Sequence, residues 1–372
     1  MREVIKAFEQ EGHSVVKFIA GGETLSQTSG AIQFKKRPWK KFIPKWLWLT
    51  LKDINLLRFD GYLKSELETI ILREKPDLVY ERGYYLSTAG VSVSAKMGVS
   101  HFLEMNAPYP QERVEMEGWS LLNWLGNSAE RKQAQLAKRV VVVSSAMTNY
   151  LVDRTGVDKK KIIMAPNAVN PDQFEVNSQV VSDKRSALNM NESETVIGFV
   201  GSIFPYHGVD LLIYGFSDLK KKWPEKKMKL LIVGDGETRP MLERLAIELG
   251  ISDQVVFTGN VPHKEVATYL AMMDITVMAR SNWYGSPVKI FEYGLLGKFI
   301  IAPNTVPVLD VMENGIDGLI VNDNLAALSG ALNFAVEKPE EAKAMASHFK
   351  DKVIHNYTWR HIGRQILKEV EA

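Results

Sequence analysis

The sequence predicts an α/β protein built from two doubly wound parallel-sheet domains. Three observations lead there. Short apolar runs of strand length alternate with segments long enough to be crossover helices. The alternation comes in two series separated by a polar stretch at 171–194, and 372 residues suffice for two separate cores. In the second series, the run 281–297, SNWYGSPVKIFEYGLLG, lies between apolar strands at 274–278 and 298–302. That places it at the carboxyl end of a strand, where such sheets bind ligands.

Taken in order, residues 2–12 have the helical spacing of Val4, Ile5 and Phe8 and stop near Gly12, after which 14–19 reads as a strand. A βαβ protein normally starts one strand earlier, with a glycine-rich turn before that helix. Here the first strand is missing, so either the chain starts inside a longer reading frame or the sheet is completed in another way.

The stretch 35–52, KKRPWKKFIPKWLWLTLK, carries seven basic residues and no acid, interleaved with Trp39, Phe42, Trp46 and Trp48. This mixture suits the headgroup region of an anionic membrane, where each cation is worth about 1 kcal/mol. The competing reading is a solvated loop whose tryptophans pack on the domain, and Pro38 and Pro44 argue against one continuous amphipathic helix. Strands follow at 77–80, 100–104, 139–144 and 161–165, with 111–137 helical in composition. These delimit an N-terminal domain over 1–170.

The polar stretch 171–194 is read as the interdomain linker. Strands at 196–200, 228–233, 254–257, 274–278, 298–302 and 318–321 then build a C-terminal domain over 195–356. The closing segment, 357–372, has an aromatic start and helical apolar spacing, and is expected to join the first domain.

Within 281–297, Ser286 is expected to cap a helix, Pro287 to be its first residue and Gly297 its exit. The unpaired N–H groups of such a start, with the positive end of the helix dipole, attract phosphate oxygens. Lys289 and Glu292 are three apart and emerge on one face, one suited to a phosphate and the other to a pair of sugar hydroxyls. The alternative is a capped amphipathic helix with an ordinary surface Lys/Glu pair.

Composition excludes several classes. A formal charge of +2 is far from the basic footprint of a dedicated nucleic-acid binder. The absence of cysteine removes disulfides, thiolate nucleophiles and cysteine metal sites, and suits the cytosol. No apolar run approaches a membrane span and the N-terminus lacks the pattern of a signal peptide, so the expected location is cytoplasmic, peripheral to the inner face of the membrane if 35–52 binds lipid.

Several motifs in fixed order resemble the family 4 glycosyltransferases. They are VVVVSSAMTNYLVD at 140–153, KIIMAPNAVNPDQF at 161–174 and IGFVGSIFPYHGVDLLIYGF at 197–216, continuing with LLIVGDGETRPMLERLAIELGISDQVVFTGNVPHKEVATYLAMMDITVM at 230–278 and GSPVKIFEYGLLGKFIIAP at 285–303. GDG at 234–236 alone would be a weak signal; the ordered set is specific. The resemblance implies the GT-B fold, two Rossmann-like domains facing across a cleft, the C-terminal one holding a nucleoside diphosphate sugar and the N-terminal one presenting the acceptor.

By that resemblance Glu292 binds the ribose hydroxyls, Gly285, Ser286, Pro287 and Val288 meet the diphosphate and sugar, and Asn260 and Val261 lie along the base. The chain departs from the family at Tyr284, where relatives often carry glutamate. It departs again in the loop after Gly201, where an arginine and a lysine of relatives read Ser202 and His207. Charge compensation then falls to Lys289, helix N-termini and a protonated His207. On the acceptor side, Asn106 stands where relatives carry histidine, and Arg82 is the second candidate.

The implied reaction moves a sugar to a hydroxyl of a glycan or lipid-linked acceptor with retention at the anomeric carbon, in surface polysaccharide or glycolipid assembly. No cofactor or metal is expected, since the sequence has no HExxH and no evident carboxylate cluster. Closure of the cleft is expected in the cycle. The rivals are a sugar-nucleotide epimerase or a glycoside phosphorylase of the same architecture, and a non-catalytic scaffold subunit.

Overall fold

A computed structural model describes residues 1–19 and 44–371. The chain divides into two compact units, 1–165 with 363–372, and 166–362.

The first unit opens with α1 (Arg2–Gln10) and the long α2 (Lys45–Glu74), followed by β1 (Leu78–Arg82), α3 (Ala89–Met97), β2 (Ser100–Met105), α4 (Tyr109–Met116), α5 (Asn123–Leu136), β3 (Arg139–Val142), α6 (Ser145–Thr155) and β4 (Ile162–Met164). Its strands pair in parallel in the order β1-β2-β3-β4, with Arg82 in register with Glu104. Val140, Val142, Phe102 and Leu103 are fully buried, as expected for strands covered on both faces.

One expectation is corrected here. Residues 14–19 form no strand; Val16, Phe18 and Ile19 are exposed, and among the described residues no element covers the run. The stretch 111–137, helical in composition, is helical as two helices, parted where Gly118 takes a left-handed φ of 107°. In the basic aromatic stretch, 35–43 lies outside the described residues, while Pro44 is the N-cap of α2, so the helix begins at that proline and does not run through it, as expected.

The second unit contains α7 (Ser178–Ala187), β5 (Thr195–Val200), α8 (Val209–Lys222), β6 (Met228–Val233), α9 (Arg239–Glu248), β7 (Val255–Phe257), α10 (Val266–Ala271), β8 (Ile275–Val277), α11 (Val288–Leu295), β9 (Phe299–Pro303), α12 (Val306–Leu309), β10 (Leu319–Val321), α13 (Leu325–Glu337), α14 (Pro339–Asn356) and the start of α15 (Trp359–Glu371). Its six strands are all parallel, in the order β10-β9-β8-β5-β6-β7. Two apolar layers cover the sheet, one built with Leu212, Phe216 and Leu332 and the other with Leu270, Phe291 and Phe349.

This order is that of a doubly wound nucleotide-binding sheet: the chain starts at a central strand, runs outward through β6 and β7, and returns to the other side of β5 through β8. The reversal leaves a crevice beyond the carboxyl ends of β5 and β8, the place where open α/β sheets take ligands. The segment 171–194, read as a linker, belongs to this unit. Phe174 is buried in its core, and Arg185 of α7 donates to the carbonyls of Met272, Asn191 and Glu194.

Beyond Ile362, α15 packs within the first unit. The Arg364 guanidinium pairs with Glu11 at 2.8 Å and Arg139 pairs with Glu369 at 3.1 Å. Among the described residues no helix is long and apolar enough to cross a membrane.

Candidate active site

At the switch point, β5 ends at Val200 and the chain turns through Gly201, whose φ of 145° suits glycine. Three glycines make this turn possible. A Cβ on Gly201 would stand 2.4 Å from Lys289 Cε, one on Gly234 would meet the Gly201 carbonyl oxygen at 2.1 Å, and one on Gly236 would meet that of Ile203 at 2.3 Å. The GDG turn after β6 therefore lies directly against the turn after β5. Backbone bonds from Gly201 to Val233 and from Ile203 to Asp235, both 2.9 Å, hold the two together.

Helix α11 supplies the charged groups. Ile290, Phe291 and Tyr293 are fully buried, each contributing about 1.5–3 kcal/mol by leaving water. The Tyr293 hydroxyl accepts from the Val200 amide at 3.2 Å, tying the helix to the end of β5. The opposite face presents Lys289 and Glu292. Lys289 Nζ lies 4.6 Å from the centre of the Phe199 ring and against Gly201. Burial pulls its ammonium down to about 8, despite Glu292 nearby.

Glu292 is pushed the other way, upward, again chiefly by burial and against the opposing charges of His263 and Lys289. Among the described residues neither head group has a hydrogen-bond or ion-pair partner. Two ionisable groups whose charged forms are both disfavoured thus lie side by side at the switch point of the sheet.

The loop entering α11 is built differently from its sequence-based expectation. Ser286 does not cap the helix: its Oγ accepts from the Asn167 amide at 3.0 Å, and its carbonyl accepts from Asn167 Nδ2 at 2.8 Å. Pro287, expected to be the first helical residue, is itself the N-cap. The Asn282 carboxamide oxygen instead fixes the preceding turn by accepting from Gly285 N at 2.6 Å and Tyr284 N at 3.3 Å. Among the described residues nothing accepts from the amides of Val288 or Lys289, so the helix start does offer open donors. Gly297, with a left-handed φ of 61°, ends the helix as expected.

His207 Nδ1 lies 2.6 Å from the Ser202 carbonyl oxygen. Burial, with Lys289 adding repulsion, pushes the imidazole down to about 4. The expectation of a protonated His207 is therefore corrected: near neutral pH it donates Nδ1–H to Ser202 and leaves Nε2 as an acceptor. Ser202 itself is exposed. Tyr206, missed in the sequence, stacks on Phe204 at 5.6 Å and meets the His207 ring at a tilt, 4.4 Å away.

A second missed residue, Arg280, packs its stem on Gly208 but commits its charge to Asp323 at 2.7 Å and Asp210 at 3.7 Å. Asn260 is exposed and Val261 half-buried in the loop after β7, which the Gly234 to Gly259 bond joins to the GDG turn at 3.1 Å. The same loop brings His263 near enough to Glu292 to act on its charge.

The two acceptor-side candidates meet in the first unit, on a residue the sequence did not single out. Buried Glu104 accepts from Asn106 Nδ2 at 2.7 Å, from Arg82 at 2.9 and 3.1 Å, and from the Tyr80 hydroxyl at 3.1 Å. Burial alone would raise this carboxyl, but Arg82, the amino group of Met1 and Asn106 hold it below its ordinary value. Arg82 remains half-exposed, and Asn106 Oδ1 is buried with no partner. No group of three His, Asp or Glu among the described residues is placed to hold a metal ion.

Comparison with known proteins accords with this geometry. Residues 1–173 match Glycosyltransferase Family 4, and residues 180–351 match Glycosyl transferases group 1. A GDP-mannose-dependent α-(1-6)-phosphatidylinositol monomannoside mannosyltransferase of Mycolicibacterium smegmatis is 25% identical over 258 residues, 68% of this chain and 66% of that protein. A D-inositol 3-phosphate glycosyltransferase of Rhodococcus jostii is 27% identical over 247 residues, 64% of this chain and 53% of its own length. The chain thus spans about half to two thirds of the curated relatives it matches.

The crystal structure of Anabaena Alr3699/HepE in complex with UDP shares the fold, with a TM-score of 0.68 at 16% identity, covering 83% of this chain and 81% of that one. The two parallel-sheet α/β units are those of the GT-B fold. With both of its halves matched in order, the chain belongs to glycosyltransferase family 4.

Proposed function

We propose that this protein transfers a sugar from a nucleoside diphosphate sugar to a hydroxyl acceptor, with retention and without a metal ion. The observation that carries this reading is the pair on α11: Lys289 and Glu292, without a hydrogen-bond or ion-pair partner among the described residues, both pushed toward neutrality by burial, at the switch point of a doubly wound sheet. A diphosphate would restore the charge on Lys289. Two ribose hydroxyls would satisfy the Glu292 carboxylate.

The chemistry follows from charge. As the anomeric bond breaks, negative charge grows on the leaving diphosphate oxygen, and Lys289 with the open amides of Val288 and Lys289 stabilises it. The positive end of the α11 dipole acts in the same sense. Neutral His207 contributes an acceptor, suited to a sugar hydroxyl rather than to phosphate. In the first unit, the half-exposed Arg82 guanidinium beside Asn106 is the polar group open to an acceptor.

The HepE structure holds UDP, and the mycolicibacterial relative is named for GDP-mannose and phosphatidylinositol monomannoside, which supports a nucleotide-sugar donor and a glycolipid or surface polysaccharide product. The stretch 35–52 would bring the enzyme to an anionic membrane where such acceptors reside. Thermal stabilisation across a panel of UDP and GDP sugars, followed by product analysis with a labelled donor in the presence of a chelator, tests the reading. The expected result is stabilisation by one donor and an acceptor-linked sugar; an epimer or a sugar phosphate as sole product would overturn it.

A further inference from the structure

The loops at the carboxyl ends of the two central strands of the second unit are uncharged. Residues 201–208, GSIFPYHG, follow β5, and residues 281–287, SNWYGSP, lie beyond β8; neither run contains a lysine, arginine, aspartate or glutamate. The cation just before the second run, Arg280, is committed to Asp323 and Asp210. What the two loops carry instead is aromatic: Phe204, Tyr206 and His207 in the first, Trp283 and Tyr284 in the second.

The first loop holds its rings in place. A single tight helical turn spans Pro205–His207, closed by the His207 amide donating to the Phe204 carbonyl at 3.0 Å. Its root is tied to the neighbouring GDG turn, since Thr238 Oγ1 donates to the Ile203 carbonyl at 3.0 Å, and the imidazole is fixed on the Ser202 carbonyl. On that frame the rings form a series running outward from α11. Lys289 Nζ lies 4.6 Å from the Phe199 ring centre, Phe199 lies 5.7 Å from His207, and His207 lies 4.4 Å from Tyr206. Tyr206 then stacks on Phe204 at 5.6 Å, with the planes 10° apart. The series ends at the surface, where Tyr206 is 57% exposed.

An exposed aromatic face beside an acceptor nitrogen has a definite chemical preference. The negative face of the ring attracts the positive C–H groups of a ring laid upon it, and offers nothing to a carboxylate. A pyranose has a C–H face and hydroxyls around its rim, so it can lie on the tyrosine while one hydroxyl donates to His207 Nε2. The Lys289 ammonium, at the inner end of the series, is where the sugar-transfer reading puts the diphosphate. The ring that the diphosphate carries then belongs at the outer end. A carboxylate on that ring would meet no counter-charge from either loop.

We propose that Tyr206, backed by Phe204, is the platform on which the sugar ring of the donor stacks, with His207 Nε2 accepting from one of its hydroxyls, and that this pair selects an uncharged hexose over a uronic acid. Tyr206 thus sets specificity and takes no part in bond breaking. The inference rests on the sugar-transfer reading, and its test keeps the two apart.

The test is calorimetric titration of the full chain with UDP, UDP-glucose, UDP-galactose, UDP-N-acetylglucosamine and UDP-glucuronate, and with GDP, GDP-mannose and GDP-mannuronate. At least one neutral donor is expected to bind about tenfold tighter than its bare nucleotide, and the matching uronate no tighter than that nucleotide. Tyr206→Ala and Tyr206→Leu should each lose about fivefold or more of this gain while binding the bare nucleotide as before, and Tyr206→Phe should keep it. Leucine retains bulk without an aromatic face, so it decides should the alanine variant fail to fold. An undiminished gain in the leucine variant, an equal gain for the uronate, or no gain from any sugar would overturn the inference and leave nucleotide binding standing. Failure to bind either nucleotide would instead overturn the sugar-transfer reading, and the platform with it.

Discussion

The carboxylates Glu104 and Glu292 invite comparison, because both lie at carboxyl ends of parallel sheets and their surroundings push them in opposite directions. Glu104 is ringed by Tyr80, Arg82 and Asn106, and is held below the ordinary carboxyl range. Glu292 has no hydrogen-bond partner among the described residues and is held above it, mainly by burial. A charge already satisfied inside the protein serves architecture. One left unsatisfied in a crevice lowers stability unless a ligand completes it, and that asymmetry supports the proposed donor site at Glu292.

The sharpest way to break the comparison is to remove each charge. Lys289→Ala and Glu292→Ala should each lower kcat/KM for transfer by about 100-fold or more with the fold retained, because stabilisation of developing charge is lost; circular dichroism and steady-state kinetics check both halves. A fully active Glu292→Ala variant would falsify the donor assignment. Glu104→Ala should instead cost about 2 kcal/mol of stability, because Arg82, Asn106 and Tyr80 lose a common acceptor, with Arg82's half-exposure limiting the loss. Chemical denaturation monitored for the first unit reads it.

The opposite sign is expected of Glu292→Gln in stability. A carboxyl whose folded pKa is raised favours the fold below its unfolded pKa, and that advantage is gone once pH exceeds the folded value. At neutral pH the ionised group therefore works against folding, and the neutral amide should stabilise the ligand-free protein by about 1 kcal/mol while abolishing donor binding. A thermal melt with and without nucleotide separates the two effects.

The smallest expected effect concerns pH. Lys289 loses its proton as pH rises through about 8, so kcat/KM for the donor should fall above that value. His207, already neutral down to about 4, should leave no inflection through the ordinary histidine range. A bell with an acid limb near the usual histidine value would show that His207 is charged when it matters.

Much of this was legible in the sequence, for reasons that are local. Strand and helix alternation is written in hydrophobic period, and Lys289 and Glu292 are three apart on one helix. What failed is long-range. Ser286 has every local mark of a cap, yet its hydroxyl is claimed by Asn167, far away in the chain. Glu104 gains its meaning only from the β1–β2 register that sets Arg82 beside it. The apolar run 14–19 has strand character but no surface among the described residues to cover it. His207 was assigned charge from its type, whereas burial and a neighbouring ammonium decide its state.

In α11 the ammonium of Lys289 and the carboxylate of Glu292 ride on a single short rod, pinned to the central strand through the Tyr293 phenol. On the proposed reading a shift of that rod would move both donor contacts together, so diphosphate and pentose would be held or let go as one latch.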